Sequence, residues 1–219
     1  MPVIDDGLLL DHAAGNGPRA VQLLAECQSV MNPVAGRRTL AAEAVFGAML
    51  DRLDPTSLHP DALTELLGHL GEAEPAGGTN TAQGGIPAPL QAILNRQTGG
   101  ELRWHRRLGG VREIVLEELC EGDTEASLIQ LMPGGGIPDH DHGGEELTLI
   151  LSGAFHDGRA LYRAGDLCSA APGTRHRPRV RGDAPCICLA VSLAPWKPAN
   201  PLYGVADRLT RPKRLSKGV

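Results

Sequence analysis

The sequence predicts an α+β chain in two parts: a small N-terminal helical bundle followed by an antiparallel β-barrel. Three observations predict it. Apolar residues recur at helical spacing as far as residue 70. From about residue 95 short apolar runs alternate with turn signals. Between them GEAEPAGGTNTAQGGIPAP (71–89) is rich in Gly, Pro, Ala and Thr and has no periodicity. Such a stretch buries too little apolar surface to offset its ordering entropy, so it reads as a linker. The expected layout is a helical domain over 1–70, a linker over 71–94, a barrel over 95–196 and a basic C-terminal tail over 197–219.

The helices come first. LLLDHAA lies in a short helix punctuated by Asn16-Gly17-Pro18. Leu24, Cys27 and Met31 then recur at i, i+3, i+7. Phe46, Met49, Leu50 and Leu53 follow the same rule, as do Leu63, Leu66, Leu67 and Leu70. Pro33 and Pro60 stand where a helix can begin, because Pro is tolerated in a first turn. Each helix has one apolar stripe, so the helices should pack on each other or on a partner.

The strands follow. LRWHRR, VREIVLEE, ASLIQLM, ELTLILSG, LCSAA, HRPRV and CICLAVSL are short and are separated by GG, GD, PGGG, HDG, RAGD, APGT and GDAP. Short strands with turns at this frequency indicate an antiparallel sandwich or barrel.

Bulk properties narrow the function. A chain of 219 residues, 42% hydrophobic, can bury a core, and with two Phe, two Tyr and two Trp that core is aliphatic. A formal charge of -5 argues against a general nucleic-acid binder. The basic run RLTRPKRLSKGV reads as a solvated tail. No apolar run approaches the roughly 20 residues that span a bilayer. MPVIDDGLLL lacks the basic start of a secretory signal. Five Cys at irregular spacing form no disulfide framework, so a cytoplasmic protein with reduced thiols is expected.

The stretch PDHDHGGEELTLILSG carries the chemistry. Residues two apart on a strand face one side, so His140 and His142 point together. Glu146 keeps the same parity if pairing resumes after Gly143-Gly144. Imidazole suits zinc, iron, copper and nickel, and a carboxylate completes such a shell. His176 is the best candidate for a further ligand from a distant strand. Three neutral His and one Glu leave a divalent ion with a net charge of about +1. Glu145 is an alternative carboxylate, less favoured by spacing. His12, His59, His69, His105 and His156 have no partners at ligand spacing and read as surface or capped residues. Cys186 and Cys188 read as core thiols on one side of an apolar strand. Cys168 lies eight residues before His176, which gives a weak hint of an accessory or redox role. His156, Asp157 and Arg159 look like a solvated turn.

The pattern Gly134-x5-His140-x-His142-x3-Glu146-x6-Gly153 resembles the first motif of the cupin superfamily. Gly165, Pro172, Gly173 and His176 resemble the second, with the proline one position displaced from the usual P-x-G-x-x-H. Over roughly 95–195 the resemblance implies a cupin β-barrel with one divalent metal inside, held by His140, His142, Glu146 and His176. It specifies little about function, because cupins include dioxygenases, isomerases and regulators.

LLLDHAAGNGPRAVQLLAECQSVMNPVAGRR is similar to the N-terminal domain of ChrR-type anti-sigma factors. L-L-x-x-A-A-G, a second helix ending near N-P and the long third helix match. RAGD and His176-Arg177-Pro178 extend the resemblance through the second half. It implies a helical domain that binds an extracytoplasmic-function sigma factor, and a cupin domain that releases it under oxidative signals. It favours zinc in the cupin, although the ligand types also allow iron, manganese or nickel. A homodimer through the cupin is left open.

One departure matters. Zinc-binding members carry H-x-x-x-C-x-x-C at the end of the second helix, where this chain has Cys27, Met31 and Val34. Val3 or Ile4 stands where a further His is expected. Structural zinc needs four donors, so no N-terminal zinc is expected, and Cys27 becomes a core residue. Either apolar packing replaces the metal as the staple or sigma binding is lost; the persistence of three apolar stripes favours the first. The alternative function is a metal-dependent, dioxygenase-like cupin enzyme. Direct DNA binding is weaker, for want of a basic recognition helix.

Overall fold

The computed structural model describes residues 2–69 and 85–199. Residues 71–84 of the expected linker, Leu70 and the tail from residue 200 lie outside the described residues.

Five helices are present among the described residues: α1 (Asp6–Ala13), α2 (Arg19–Met31), α3 (Pro33–Leu50), α4 (Ala62–His69) and α5 (Ala88–Thr98). Their starts follow from local chemistry. The Asp5 carboxylate accepts from the backbone N–H groups of Gly7 and Leu8 at 2.8 and 3.1 Å and caps α1. Asn32 caps α3 in the same way, through Val34 and Ala35, with Pro33 in the first turn. The α2–α3 corner is tight: a Cβ on Gly36 would stand 2.7 Å from the Ser29 carbonyl oxygen.

The strands are β1 (His105–Arg106), β2 (Val111–Val115), β3 (Glu125–Leu131), β4 (His140–His142), β5 (Glu146–Ser152), β6 (Ala154–His156), β7 (Leu161–Arg163), β8 (Leu167–Ala170), β9 (Arg179–Val180), β10 (Cys186–Ser192) and β11 (Trp196–Pro198). They form a six-stranded sheet in the order β1-β2-β3-β10-β5-β8, a three-stranded sheet β7-β6-β9 and a pair β11-β4, antiparallel throughout. The strand expected over LRWHRR shrinks to two residues, because only His105 and Arg106 find partners on β2. An α+β chain of helices followed by an antiparallel barrel is what the periodicity predicts.

The two halves share one core, which the sequence did not reveal. Leu24 and Cys27 of α2 lie in one apolar cluster with Leu90 and Leu94 of α5, Leu147, Leu149 and Leu151 of β5, and Leu189 and Val191 of β10. Ile150, Phe155, Cys186 and Cys188 belong to a second cluster inside the barrel. Cys27 is a buried core residue, as expected, and burial pushes its thiol up to about 12. Residues 85–94, assigned to the linker, are a correction. Ile86 is buried, and α5 begins at Ala88 after Pro87 and ends at Gly99 in a left-handed cap. Its Leu90, Ile93 and Leu94 form a helical stripe inside a region whose Gly/Pro/Ala composition hides it.

The other stripes stay bare. Val45, Met49 and Leu50 on α3, Leu53 and Leu58 beyond it, and Leu63, Leu66 and Leu67 on α4 are 55–83% exposed. α4 buries no residue. Among the described residues no helix is long and apolar enough to cross a membrane.

The assignment of α5 to the core is testable by denaturation. Leu90→Ala and Leu94→Ala should each lower unfolding stability by about 2–5 kcal/mol, the usual result of truncating a fully buried leucine. A loss below about 0.5 kcal/mol would return the segment to linker status.

Candidate metal centre

Two strands and a loop bring the site together. His140 and His142 alternate on β4 with Asp141 between them, and both histidines are buried. β4 turns into β5 through Gly143-Gly144, where a Cβ on Gly144 would stand 2.9 Å from the Ala194 side chain. Glu146 then opens β5 with its carboxylate inward. His176 pairs with His140 across an isolated bridge: each backbone N–H donates to the other's carbonyl, at 3.3 and 3.1 Å. The displaced proline does not disturb this. Pro172 and Gly173 form the turn, Gly173 has a left-handed φ of +75°, and its N–H donates to the His142 carbonyl at 3.0 Å.

All four ligand-type atoms lie within 4.8 Å of one another, and all four residues are buried. His176 Nε2 stands 2.9 Å from His140 Nε2 and 3.1 Å from Glu146 Oε2. His142 Nε2 stands 3.3 Å from the same carboxylate oxygen. Glu145 is not part of the group; it accepts a hydrogen bond from Ser169 at 2.7 Å.

The outer ring nitrogens fix the tautomers. His140 Nδ1 faces the Pro138 carbonyl at 2.7 Å, which can only accept, so Nδ1 carries the proton. His142 Nδ1 faces Ser192 Oγ at 3.1 Å, and that hydroxyl donates onward to the Ala194 carbonyl at 2.6 Å, so it accepts from the histidine. Both Nε2 atoms are left as lone pairs aimed inward. His142 Nε2 is buried with no hydrogen-bond partner. Lone pairs and a carboxylate thus converge with too few protons among them, an arrangement that a cation satisfies. Spacings near 3 Å also suit ligands at about 2.0–2.1 Å from a common ion. The donor set therefore fits a divalent metal, with His140, His142, Glu146 and His176 as the groups that would hold it. Three imidazoles and a carboxylate do not by themselves select one metal.

Burial pulls His140 down from 6.5 to about 4, so it is neutral near pH 7 and its lone pair is available. Burial alone would raise Glu146, but His142 and His176, when protonated toward it, outweigh burial and hold the carboxyl well below the usual carboxylate range.

A cavity of about 100 Å³ opens beside the cluster. Its lining includes a buried ion pair between Arg107 and Glu113, with Ser127 Oγ donating to Glu113 at 2.9 Å. Trp196 meets the His140 ring edge-on, with centroids 5.5 Å apart. Sequence reading missed these residues, because Arg107 and Glu113 sit in ordinary-looking strand text and meet the cluster only when the barrel closes.

The turn at 156–159 is a correction. Asp157, read as solvated, is 1% exposed. Its carboxylate accepts from the backbone of Arg159 and Ala160, both at 2.8 Å, and from Arg159 Nε at 2.7 Å. Asp157, Cys168 and His176 form a second group of ligand-type atoms within 4.8 Å. The Arg159 guanidinium against Asp157, and 3.8 Å from the Cys168 sulfur, makes that group unfavourable for a cation. Burial pushes the Cys168 thiol up to about 12, which leaves it protonated near pH 7. Cys186 and Cys188 are buried core thiols, as expected. None of His12, His59, His69, His105 and His156 joins the cluster.

The pH dependence of metal-free stability follows. Between 6.5 and about 4 the unfolded chain takes up a proton that folded His140 does not, so stability falls as pH falls through that window. Glu146, depressed in the fold, loses its contribution in the same direction at lower pH. The urea midpoint of metal-free protein should drop from pH 6.5 to 4, and less steeply in His140→Gln. A midpoint rising with acid would contradict this.

Comparison with known proteins agrees with the geometry. Residues 96–197 match the family model described as the ChrR cupin-like domain. The chain is 32% identical over 195 residues to the anti-sigma-E factor ChrR of Cereibacter sphaeroides, covering 89% of this chain and 90% of the relative. It also matches the crystal structure of Rhodobacter sphaeroides SigE in complex with the anti-sigma ChrR, with a TM-score of 0.73 and 30% identity over 88% of this chain and 98% of that one. The likeness runs through helices and barrel alike, and the chain belongs to the ChrR family of anti-sigma factors.

Proposed function

We propose that this protein sequesters an extracytoplasmic-function sigma factor through the bare apolar rows of α3 and α4. A divalent metal, zinc by family resemblance, held by His140, His142, Glu146 and His176, makes that grip responsive to oxidative signals. The exposure of Val45, Met49, Leu50, Leu53, Leu63, Leu66 and Leu67 carries the reading. Rows of large aliphatic side chains at helical spacing are the means by which an amphipathic helix fills an apolar groove on a partner. Burying each stabilises a complex by about 1.5–3 kcal/mol before association costs. The ChrR relative is named for binding a sigma factor, and this chain keeps the exposed rows although the N-terminal zinc motif is altered to Cys27, Met31 and Val34. A partner that acts with RNA polymerase puts the protein in the cytoplasm.

Co-expression with candidate sigma factors and pull-down tests the proposal. Wild type should retain one of them. Leu50→Glu and Leu66→Glu, both at exposed positions, should fold normally and weaken binding by about tenfold or more each. No complex with any candidate would refute it.

Metal analysis tests the site. Purified protein should hold one divalent ion per chain, lost in His142→Ala and Glu146→Gln. Free zinc at 100 times Kd should raise stability by about 2.7 kcal/mol in wild type and not in either variant. Two ions per chain would point to a further site in the N-terminal half.

The cavity beside the cluster supports a second reading, a metal-dependent oxygenase. Oxygen uptake by iron-loaded protein with small diketones or thiols is its assay, and uniform inactivity would remove it.

A further inference from the structure

The helical layer and the barrel meet at a polar seam buried within their shared apolar core. Gln28 and Asn32, one helical turn apart, have no exposed surface. Their side-chain amides donate to a single acceptor, the carbonyl oxygen of Gly165, at 3.3 and 3.2 Å. Gly165 lies 137 and 133 residues away in sequence, in the turn before β8. The other polar atoms of both side chains are also engaged. Gln28 Nε2 donates to the Pro2 carbonyl at 3.1 Å, and Gln28 Oε1 accepts from the Ile4 N–H at 2.9 Å. Asn32 Oδ1 is the α3 cap. Pro2 O also accepts from the Leu167 N–H at 3.0 Å. Gly165 has a left-handed φ of +85°, and a Cβ there would stand 3.2 Å from the Met31 carbonyl oxygen.

Such a network changes as a unit. Withdrawing one partner leaves buried amides and carbonyls unpaired, which destabilises the seam as a whole. One end of it reaches the metal strands: Gly165 N–H donates to Ile150 O of β5 at 2.8 Å, and Ile150 N–H donates to Asp166 O at 3.0 Å. β8 then pairs Ala170 with Glu146. The other end is Asn32, which begins the helix carrying Val45, Met49 and Leu50.

We infer that Gln28, Asn32 and Gly165 form a coupling seam through which occupancy of the His140–His142–Glu146–His176 centre sets the docking of the helical layer, and so the presentation of α3. Gln28 and Asn32 are positioning residues in it. The inference rests on the metal reading above. A metal that fixes Glu146 holds β5 and β8 in the register that keeps Gly165 under both amides. Linkage makes the effect reciprocal: a weakened seam lowers metal affinity by the factor with which metal loss weakens the seam.

The experiment uses the full chain and zinc. In wild type, amide hydrogen exchange at Ile4 and Leu167 should be slower with zinc than after stripping it. Asn32→Ser keeps an oxygen that caps α3 but lacks the amide donor; Gln28→Met keeps the volume and loses all three hydrogen bonds. Zinc affinity, by competition with a chromophoric chelator, should fall about fivefold or more in each variant. A merely structural seam would lower the denaturation midpoint and leave zinc affinity unchanged. Equal exchange with and without zinc, or wild-type affinity in Asn32→Ser, overturns the inference. Should the variants fail to fold, the wild-type exchange rates decide it alone. Wild-type zinc affinity in His142→Ala would instead refute the metal reading itself.

Discussion

Every residue of β5 from Glu146 to Leu151 is buried, and the two faces of that strand are covered by different things. Leu147, Leu149 and Leu151 face the helices; Glu146 and Ile150 face the barrel interior. A strand shielded on both sides reads as a near-continuous apolar run, which is how TLIL appears in the sequence. The helical layer, the barrel and the carboxylate of the candidate metal centre all depend on this one strand. A one-residue slip would exchange the two faces, putting leucines into the metal cluster and the glutamate into the helix core. Register is therefore held by the core itself.

The helices divide into two classes by what they bury. α2 and α5 give Leu24, Cys27, Leu90 and Leu94 to the shared core and hold the layer to the sheet. The part of α3 beyond Ala42 and all of α4 give nothing to it. Such an imbalance is costly to a chain acting alone, since exposed aliphatic rows invite association, and it is expected where a partner completes the structure. Cys27 joins the apolar core, while the neighbouring Gln28 and Asn32 supply hydrogen bonds that tie the chain end, the α2–α3 corner and the barrel together. A cross-link of amides thus occupies the α2–α3 corner.

The candidate metal centre is organised from outside as much as from within. Pro138 and Ser192 hold the outer nitrogens of His140 and His142, and this determines that both Nε2 lone pairs face the centre. Partners of this kind orient a ligand and set its basicity. The same barrel interior shows why ligand-type residues alone do not define a site. Asp157 and Cys168 have ligand-type atoms within 4.8 Å of one on His176, yet the Arg159 guanidinium is lodged against them.

What depends on local spacing was legible from the sequence alone. Helical and strand periods gave the order of elements, and the alternation at His140 and His142, with Glu146 four residues on, gave three members of the cluster, because pleat geometry is local. His176 was legible only through the turn residues before it. The tertiary structure decided what depends on distant partners. Gly/Pro-rich text around α5 concealed a core helix, because its three apolar residues acquire meaning only against α2 and the sheet. Asp157, Arg107 and Glu113 looked solvated or ordinary because burial is a property of what lies across the barrel. The seam at Gly165 joins residues more than 130 positions apart, and no local pattern encodes which carbonyl two buried amides will find.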